Sequence, residues 1–328
     1  MKRKVSTTIA PNHAGSAILD FLSLRFTYHH RNQWEDLIQC EKILLNGSPS
    51  VPSAILEVGD EVEYVHFDRE EPPVSTNYSI VFEDRALLVI NKPGNLPCHP
   101  GGRYFRNTLW RLLRTDHSGE SFFFVNRIDR ETSGIVLLTK TALAATHCQQ
   151  QFQSGNVRKN YLVLVEGKFP SGEFRADGFL ARDKTSTIRK KQRFFSSHSG
   201  QEITEDCRQC LTQFRLLDTH EGKSLVSASP VTGRLHQIRA TLFSLGYPVV
   251  GDKIYGLDDT LFLKFIENRL TEGDRNRLCL PRQALHAESL ALTHPEDGRR
   301  LHFRAEIPED MAALFNKGGY PWNPRRFI

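Results

Sequence analysis

The sequence predicts an α+β fold, in which a small α/β domain precedes a larger domain built on a mixed, largely antiparallel sheet. Three observations carry this reading. After Tyr78, strand-like runs outnumber helical segments. Turn signals such as Asp84-Arg85 and Asp297-Gly298 separate neighbouring runs. The stretch Asp68–Asn77, with Glu70, Glu71, Pro72, Pro73 and Ser75, has the paired prolines and charges of a linker. The expected layout is a first domain over 1–67, a linker over 68–77, a second domain over 78–310 and a tail over 311–328.

In the first domain, Ala17, Ile18, Phe21, Leu22 and Leu24 predict a helix, and Trp34, Leu37 and Ile38 share one face of a second. Ile43-Leu44-Leu45 runs into Asn46-Gly47, a hairpin turn pair. Val62, Tyr64 and Phe67 then alternate as in a strand. In the second domain, Ile80-Val81-Phe82 and Leu87–Asn91 form a predicted hairpin. Gly134–Lys140 is a strand, Thr141 to Phe152 a helix, and Lys159–Glu166 a strand of alternating polarity. Thr204–Leu217 reads as a strand, and Arg234–Leu245 as a helix stopped by Gly246. Ser289–Thr293 and Leu301–Glu306 flank Asp297-Gly298 as a last hairpin.

The chain has 328 residues, 39% hydrophobic and 25% charged, which suits a globular protein of two or three domains and excludes disorder. The longest apolar runs, Ala86–Ile90 and Ile135–Leu138, are strand-sized, so no membrane span is expected. Met1-Lys2-Arg3-Lys4 is followed by no apolar stretch, so no secretory signal is expected. The six cysteines, at 40, 98, 148, 207, 210 and 279, have no disulfide-like spacing, which favours a reducing, cytoplasmic setting. Cys207 and Cys210 lack a second pair, and on a strand their spacing turns them to opposite faces. His286, His294 and His302 have no carboxylate or cysteine at ligand spacing, so no metal site is expected.

Positive charge is concentrated. Arg182, Lys184, Arg189, Lys190, Lys191 and Arg193 face one acid, Asp183, a local excess equal to the +5 of the whole chain. Such a cluster can neutralise phosphates, or it can be a solvated loop. Arg189, Lys190 and Lys191 are the candidate phosphate contacts, with Phe194 and Phe195 as anchors of the loop.

The most informative segment is Asn126-Arg127-Ile128-Asp129-Arg130-Glu131-Thr132-Ser133-Gly134, between the apolar run Phe122–Val125 and a strand. A carboxylate between two arginines on a strand-anchored loop is placed for chemistry, though such groups also form ion-paired turns. The segment resembles the signature of the RluA-type pseudouridine synthases, His-Arg-Leu-Asp, two variable residues, then Thr-Ser-Gly. Further stretches match that family in order: Asn91-Lys92-Pro93-Gly94 with His99-Pro100, Lys159-Asn160-Tyr161 through Glu166-Gly167, and Thr232-Gly233-Arg234-Leu235-His236-Gln237-Ile238-Arg239. Gly246-Tyr247-Pro248, Gly251-Asp252-Lys253-Ile254-Tyr255-Gly256, Leu285-His286-Ala287 and His294-Pro295 complete the set. The first domain is similar to the alpha-L RNA-binding module at Asp20-Phe21-Leu22, Leu44-Leu45-Asn46-Gly47 and Val58-Gly59-Asp60-Glu61-Val62, with Arg25, His29, His30, Arg31 and Lys42 as its basic face.

The resemblance implies isomerisation of uridine in RNA, in which the bond from ribose to N1 is broken and remade to C5. It implies no cofactor, because nothing is gained or lost. Asp129 matches the catalytic carboxylate, acting as nucleophile or as base. Arg239 matches its partner, without which a buried carboxylate would lose its charge. Tyr161 matches the tyrosine that packs on the uracil, and Arg127 the arginine that fills the space left by an extruded nucleotide. Lys159, Arg234 and Ile238 are expected to line the pocket. At Asn126 the family usually has His; an amide cannot titrate there, and a supporting role is expected. The implied partner is RNA, ribosomal first and transfer RNA second, acted on by a monomer. Two other readings compete. A non-catalytic RNA-binding protein on this fold would not need Asp129, Tyr161 and Arg239 together, and a nucleoside glycosidase would need a second carboxylate and no basic cluster.

Overall fold

The computed structural model describes residues 3–26, 29–66 and 71–316. The chain divides into two compact units, Met1–Pro73 with Gly101–Arg106, and Val74–Pro100 with Asn107–Ile328. Among the described residues, no helix is long and apolar enough to cross a membrane.

The first unit contains β1 (Arg3–Thr8), α1 (Ile18–Arg25), α2 (Arg31–Gln39), β2 (Ile43–Leu45), β3 (Ser48–Pro49) and β4 (Glu61–His66). Its sheet has the order β1-β4-β2-β3. The expected Asn46-Gly47 hairpin is present, with φ of 51° and 80°, the left-handed pair that a two-residue hairpin turn requires. The Asn46 side chain then locks the turn to β4, donating to Asp60 Oδ1 at 2.8 Å and accepting the Glu61 N–H at 2.8 Å. Ile18, Leu22, Trp34, Ile38, Ile43 and Leu56 form the buried core, and the Trp34 indole donates to the Phe26 carbonyl. Of the expected basic face, Arg31 is ion-paired with Asp20, and His29 lies edge-on against Trp34 at 4.7 Å. Arg25 and His30 remain exposed.

Part of the expected linker, Asp68–Glu70, lies outside the described residues, as does Phe67. Glu71 accepts the backbone N–H groups of Phe105 and Arg106, whereas Val74 and Tyr78 pack on a core of the second unit. At the other end, α8 (Glu309–Asn316) crosses the expected boundary at 310. Met311 is fully buried, so the fold extends into the expected tail; residues 317–328 lie outside the described ones.

The second unit contains β5 (Ser79–Glu83), β6 (Leu87–Lys92), α3 (Leu109–Asp116), β7 (Phe123–Phe124), β8 (Ser133–Thr139), α4 (Ala142–Gln153), β9 (Arg158–Glu166), β10 (Glu173–Arg182), β11 (Gln192–Ser196), β12 (Arg208–His220), β13 (Lys223–Pro230), α5 (Gln237–Ser244), α6 (Thr260–Ile266), α7 (Glu272–Leu278), β14 (Leu285–Thr293) and β15 (Arg300–Arg304), followed by α8. Among the described residues the main sheet runs β11-β10-β12-β13-β9-β14-β8-β6-β5, with β15 on β14 and β7 on β8. It is antiparallel except where β14 meets β8, so the expected α+β class holds. The strand expected over 204–217 begins later, at Arg208. Cys207 therefore sits in the preceding turn, and the opposite-face argument for its thiol does not apply.

The parallel joint between β14 and β8 is two residue pairs long, His286 with Ser133 and Ala287 with Gly134. On one side stand the strands that carry Tyr161 and the basic loop. On the other stand β8 and β6, buried along nearly their whole length because both faces are covered. The loop Asn126–Thr132 enters β8 at this joint. Gly134 has φ +109°, and a Cβ there would stand 2.2 Å from the Ala287 carbonyl oxygen. Only glycine lets the two strands meet this closely. Gly134→Ala should therefore lower stability by at least about 2 kcal/mol, from backbone strain plus forced separation of the strands. Chemical denaturation with an unchanged midpoint would show that the joint tolerates a side chain.

Candidate active site

The joint places Asp129 on the floor of a pocket of ≈120 Å³, walled by Arg127, Thr132, Lys159, Tyr161, Arg234, His236, Ile238 and Arg239 among others. Larger concavities of ≈880 and ≈720 Å³ exist on this unit, but neither contains Asp129 or Arg239. Chemistry rather than size marks the site.

Arg239 comes from α5 and is 5% exposed. Its Nε and Nη2 donate to the two oxygens of Asp252 at 2.6 and 2.8 Å, and its Nη1 donates to Asp129 Oδ2 at 2.8 Å. Asp252 is wholly buried and also accepts the N–H groups of Ile254 and Tyr255. The Tyr255 ring covers the guanidinium at 4.9 Å. Burial opposes a charge on Arg239, but the two carboxylates outweigh it and hold the guanidinium firmly protonated. Burial likewise raises the pKa of Asp129, and the charge of Arg239 with help from His236 and Gln283 overcomes this, leaving it at about 2. Asp129 is thus an ionised carboxylate that keeps 30% of its side chain accessible.

Tyr161 stands on β9 between Ala228 of β13 and Ala287 of β14. Its side chain lines the pocket and packs against the core of the sheet. Burial and the nearby Asp129 charge push the phenol up to about 12, so it stays neutral. Lys159 lies on the same side of β9, two residues away, with Nζ donating to the Thr232 carbonyl at 3.3 Å. Burial lowers its pKa. Arg234 donates to the Gln209 carbonyl at 3.1 Å, and Ile238 is a buried wall residue. Arg127 is exposed at the pocket and has no ion pair among the described residues. Asn126 accepts the Leu137 N–H at 2.7 Å, which ties the start of the loop to β8.

The basic cluster does not act as one unit. Arg189 and Lys190 are exposed on the β10–β11 connection, and the charge of Lys190 reaches His236. Lys191 is only 6% exposed, with Nζ 2.7 Å from Asp259 and 4.9 Å over the Phe243 ring. The expectation that Lys191 contacts phosphate is therefore corrected: an ammonium paired in a covered niche is not free to bind. Phe194 is buried and Phe195 partly so, as expected of anchors.

Four residues with clear roles at the site were not given any from the sequence: His236, Gln237, Asp252 and Gln283. The first three lie inside the quoted motifs, so the signal was present. Gln237 folds the Thr232–His236 turn by accepting from Thr232 Oγ1 and the Arg234 N–H while donating to Leu211 and Thr212. His236, at φ +54°, bonds the Tyr255 hydroxyl, and burial with Arg239 lowers its pKa to about 4. Two further histidines named above have structural partners: His286 bonds Ser133 and Ala305, and His294 pairs with Asp84. Glu83, His117 and Glu120 bring ligand atoms within 4.8 Å of one another, but Lys140 already pairs with both carboxylates.

Because Asp129 sits near 2 and His236 near 4, neither changes charge between pH 5 and 7. The single-turnover rate should be flat across that window. A rate that falls tenfold per pH unit below 6 would assign the chemistry to another titrating group.

A sequence profile of the RNA pseudouridylate synthase family matches residues 86–244. The chain is 32% identical over 251 residues to the ribosomal large subunit pseudouridine synthase D of Zymomonas mobilis, covering 74% of this chain and 73% of that protein. It is 29% identical to the tRNA pseudouridine(31) synthase of Saccharomyces cerevisiae, over 77% of this chain and 70% of that one. The solved structure of human RNA pseudouridylate synthase domain containing 1 superposes with a TM-score of 0.56 at 27% identity, over 73% of this chain and 86% of that one. With the ordered motifs and the fold, these likenesses identify the chain as a member of the RluA-type pseudouridine synthases, isomerases that convert uridine in RNA to pseudouridine.

Proposed function

We propose that the chain isomerises a specific uridine of ribosomal RNA, with Asp129 as the reacting carboxylate. The observation that carries this is the convergence of Arg239 and Tyr161 on an ionised, accessible Asp129 in a pocket at the sheet joint. Either role of Asp129, nucleophile or base, needs the ionised form at neutral pH, and Arg239 holds the carboxyl well below the usual carboxylate range. A uridine in a stem cannot reach this pocket, so the nucleotide is extruded at a cost of a few kcal/mol. Arg127, exposed at the rim, fills the vacated space. Tyr161 stacks on the uracil and holds the freed ring while it turns, with Lys159, Arg234 and Ile238 as walls.

The ribosomal assignment draws on the relative from Zymomonas, whose name specifies the ribosomal large subunit. Transfer RNA is the second reading, favoured by the yeast relative. The first unit acts as a tethered alpha-L-like RNA-binding module, which raises the local concentration of substrate without entering the chemistry. The protein works as a monomer in the cytoplasm on this reading.

Pseudouridine mapping of ribosomal and transfer RNA treated with the protein tests the assignment. One or a few uridines should be converted in ribosomal RNA, none in free uridine, and Asp129→Asn should reduce turnover by about 10⁴-fold or more while RNA still binds. Near-normal product from that variant would sink the catalytic role.

Replacing Arg189 and Lys190 by alanine should weaken binding to different RNAs alike. It should also flatten the dependence of log affinity on log salt by about 0.7–0.9 per lost phosphate contact. Lys191→Ala should instead lower the melting temperature and leave the salt slope alone. Equal salt slopes in the double variant and the native protein would return the cluster to a solvated loop.

A further inference from the structure

The turn that carries Asp129 is held at Asp129, Glu131 and Thr132 by one short segment, Arg282–Gln283, just ahead of β14. Gln283 is 2% exposed. Its side-chain amide donates to Thr132 Oγ1 at 2.6 Å and reaches Asp129 Oδ2 at 3.3 Å, and its backbone N–H donates to Glu131 Oε2 at 3.2 Å. Glu131 is gripped in turn by Lys253 Nζ, 3.0 Å from each oxygen, and by Arg130 at 2.6 Å. Lys253 also donates to the carbonyl of Pro281, the residue before that segment, at 2.7 Å, and Arg282 donates to the Glu131 carbonyl at 3.3 Å.

Two donors therefore meet on one oxygen of Asp129. Arg239 Nη1 and Gln283 Nε2 both address Oδ2, whereas Oδ1 receives no hydrogen bond among the described residues. The carboxylate still keeps solvent access. A carboxylate plane turns easily about its terminal torsion, and one donor would leave it free to swing. A second donor from another element fixes the plane. Because the amide is neutral, it does so without adding charge to a site where Arg239 is already shared by two carboxylates.

We propose that Gln283 is a positioning residue which, with Arg239, pins one oxygen of Asp129 and leaves the other as the oxygen that meets the substrate. This rests on the reading that Asp129 is the reacting carboxylate. Gln283 touches no substrate itself; it acts through Asp129 and through Thr132, which also lines the pocket. The amide has two N–H groups and uses one on each, so its removal loosens both.

Three variants test this by single-turnover kinetics on a substrate RNA. Gln283→Met keeps the length and removes the donor. Its rate at saturating RNA should fall about 10- to 100-fold, the scale of a small misplacement of a reacting group, with half-saturation unchanged. Gln283→Glu supplies a donor only while protonated, and the adjacent Asp129 charge raises its pKa. Its rate should fall as pH rises from 5 to 8, where the native rate does not. Full rate in Gln283→Met, or a loss that appears only in half-saturation, would overturn the proposal. If Gln283→Met does not fold, the Gln283→Glu profile decides, and a flat profile overturns it. Asp129→Asn is measured alongside. An active Asp129→Asn removes the underlying reading, whereas an inactive one with unaffected Gln283 variants removes this inference alone.

Discussion

Arg239 is gripped from behind by a carboxylate that no solvent reaches. Asp252 takes two of its nitrogens in a fork, and two backbone N–H groups hold Asp252 in place. A bidentate pair of this kind fixes both direction and distance, which a lysine at the same place could not do. The remaining nitrogen is thereby aimed at Asp129. Without a counter-charge, burial would raise the Asp129 carboxyl above the ordinary carboxylate range; with it, the group stays ionised to about pH 2. Removing one member of such a buried set leaves an uncompensated charge, at roughly 3–5 kcal/mol. The charge state of Asp129 and the stability of the domain therefore depend on the same contact.

The sheet sets where this contact can form. Asp129 comes from the loop before β8, Tyr161 from β9 and Arg239 from α5, which follows β13. The short parallel meeting of β14 and β8, with β9 paired to β14, sets these elements around one pocket. Gly134 permits that meeting, and Asn126 and Gln283 tie the intervening loop to its two sides. The site is built on strands and a helix, with the loop that carries Asp129 short and held along its length. Such support is what keeps a catalytic group in register with its substrate.

Much of this was legible in the sequence, for physical reasons. The helix expected from Thr141 to Phe152 is α4, and Thr141 caps it by accepting the Ala144 N–H, because a hydroxyl before a helical run satisfies an orphan donor. The apolar run Ile135–Leu138 marked a strand because β8 is covered on both faces. Asp129, Tyr161 and Arg239 were legible from ordered motifs, and all three reach one pocket. What failed to show was anything that depends on distant partners. Lys191 looked like its neighbours in a charged run, yet Asp259, 68 residues later, takes it inward. Gln283 and Lys253 meet Asp129 and Glu131 across 154 and 122 residues, and no local pattern announces that. The polar strand β1 was invisible because its pairing with β4 spans most of the first unit. By contrast α7 had a readable signal, a Thr271–Asp274 capping box, that went unused.

The central claim is that the Arg239 guanidinium holds the Asp129 carboxyl below the ordinary carboxylate range. Its most direct test is the carboxyl ¹³C shift of Asp129, followed from pH 3.5 to 6 in the native protein and in Arg239→Gln. In the native protein the signal should remain that of a carboxylate throughout, because the group titrates near 2. In Arg239→Gln it should titrate within the window, at or above the ordinary value of about 3.9, as burial is no longer opposed by the guanidinium. A signal in Arg239→Gln that still reports a carboxylate at pH 3.5 would contradict the account.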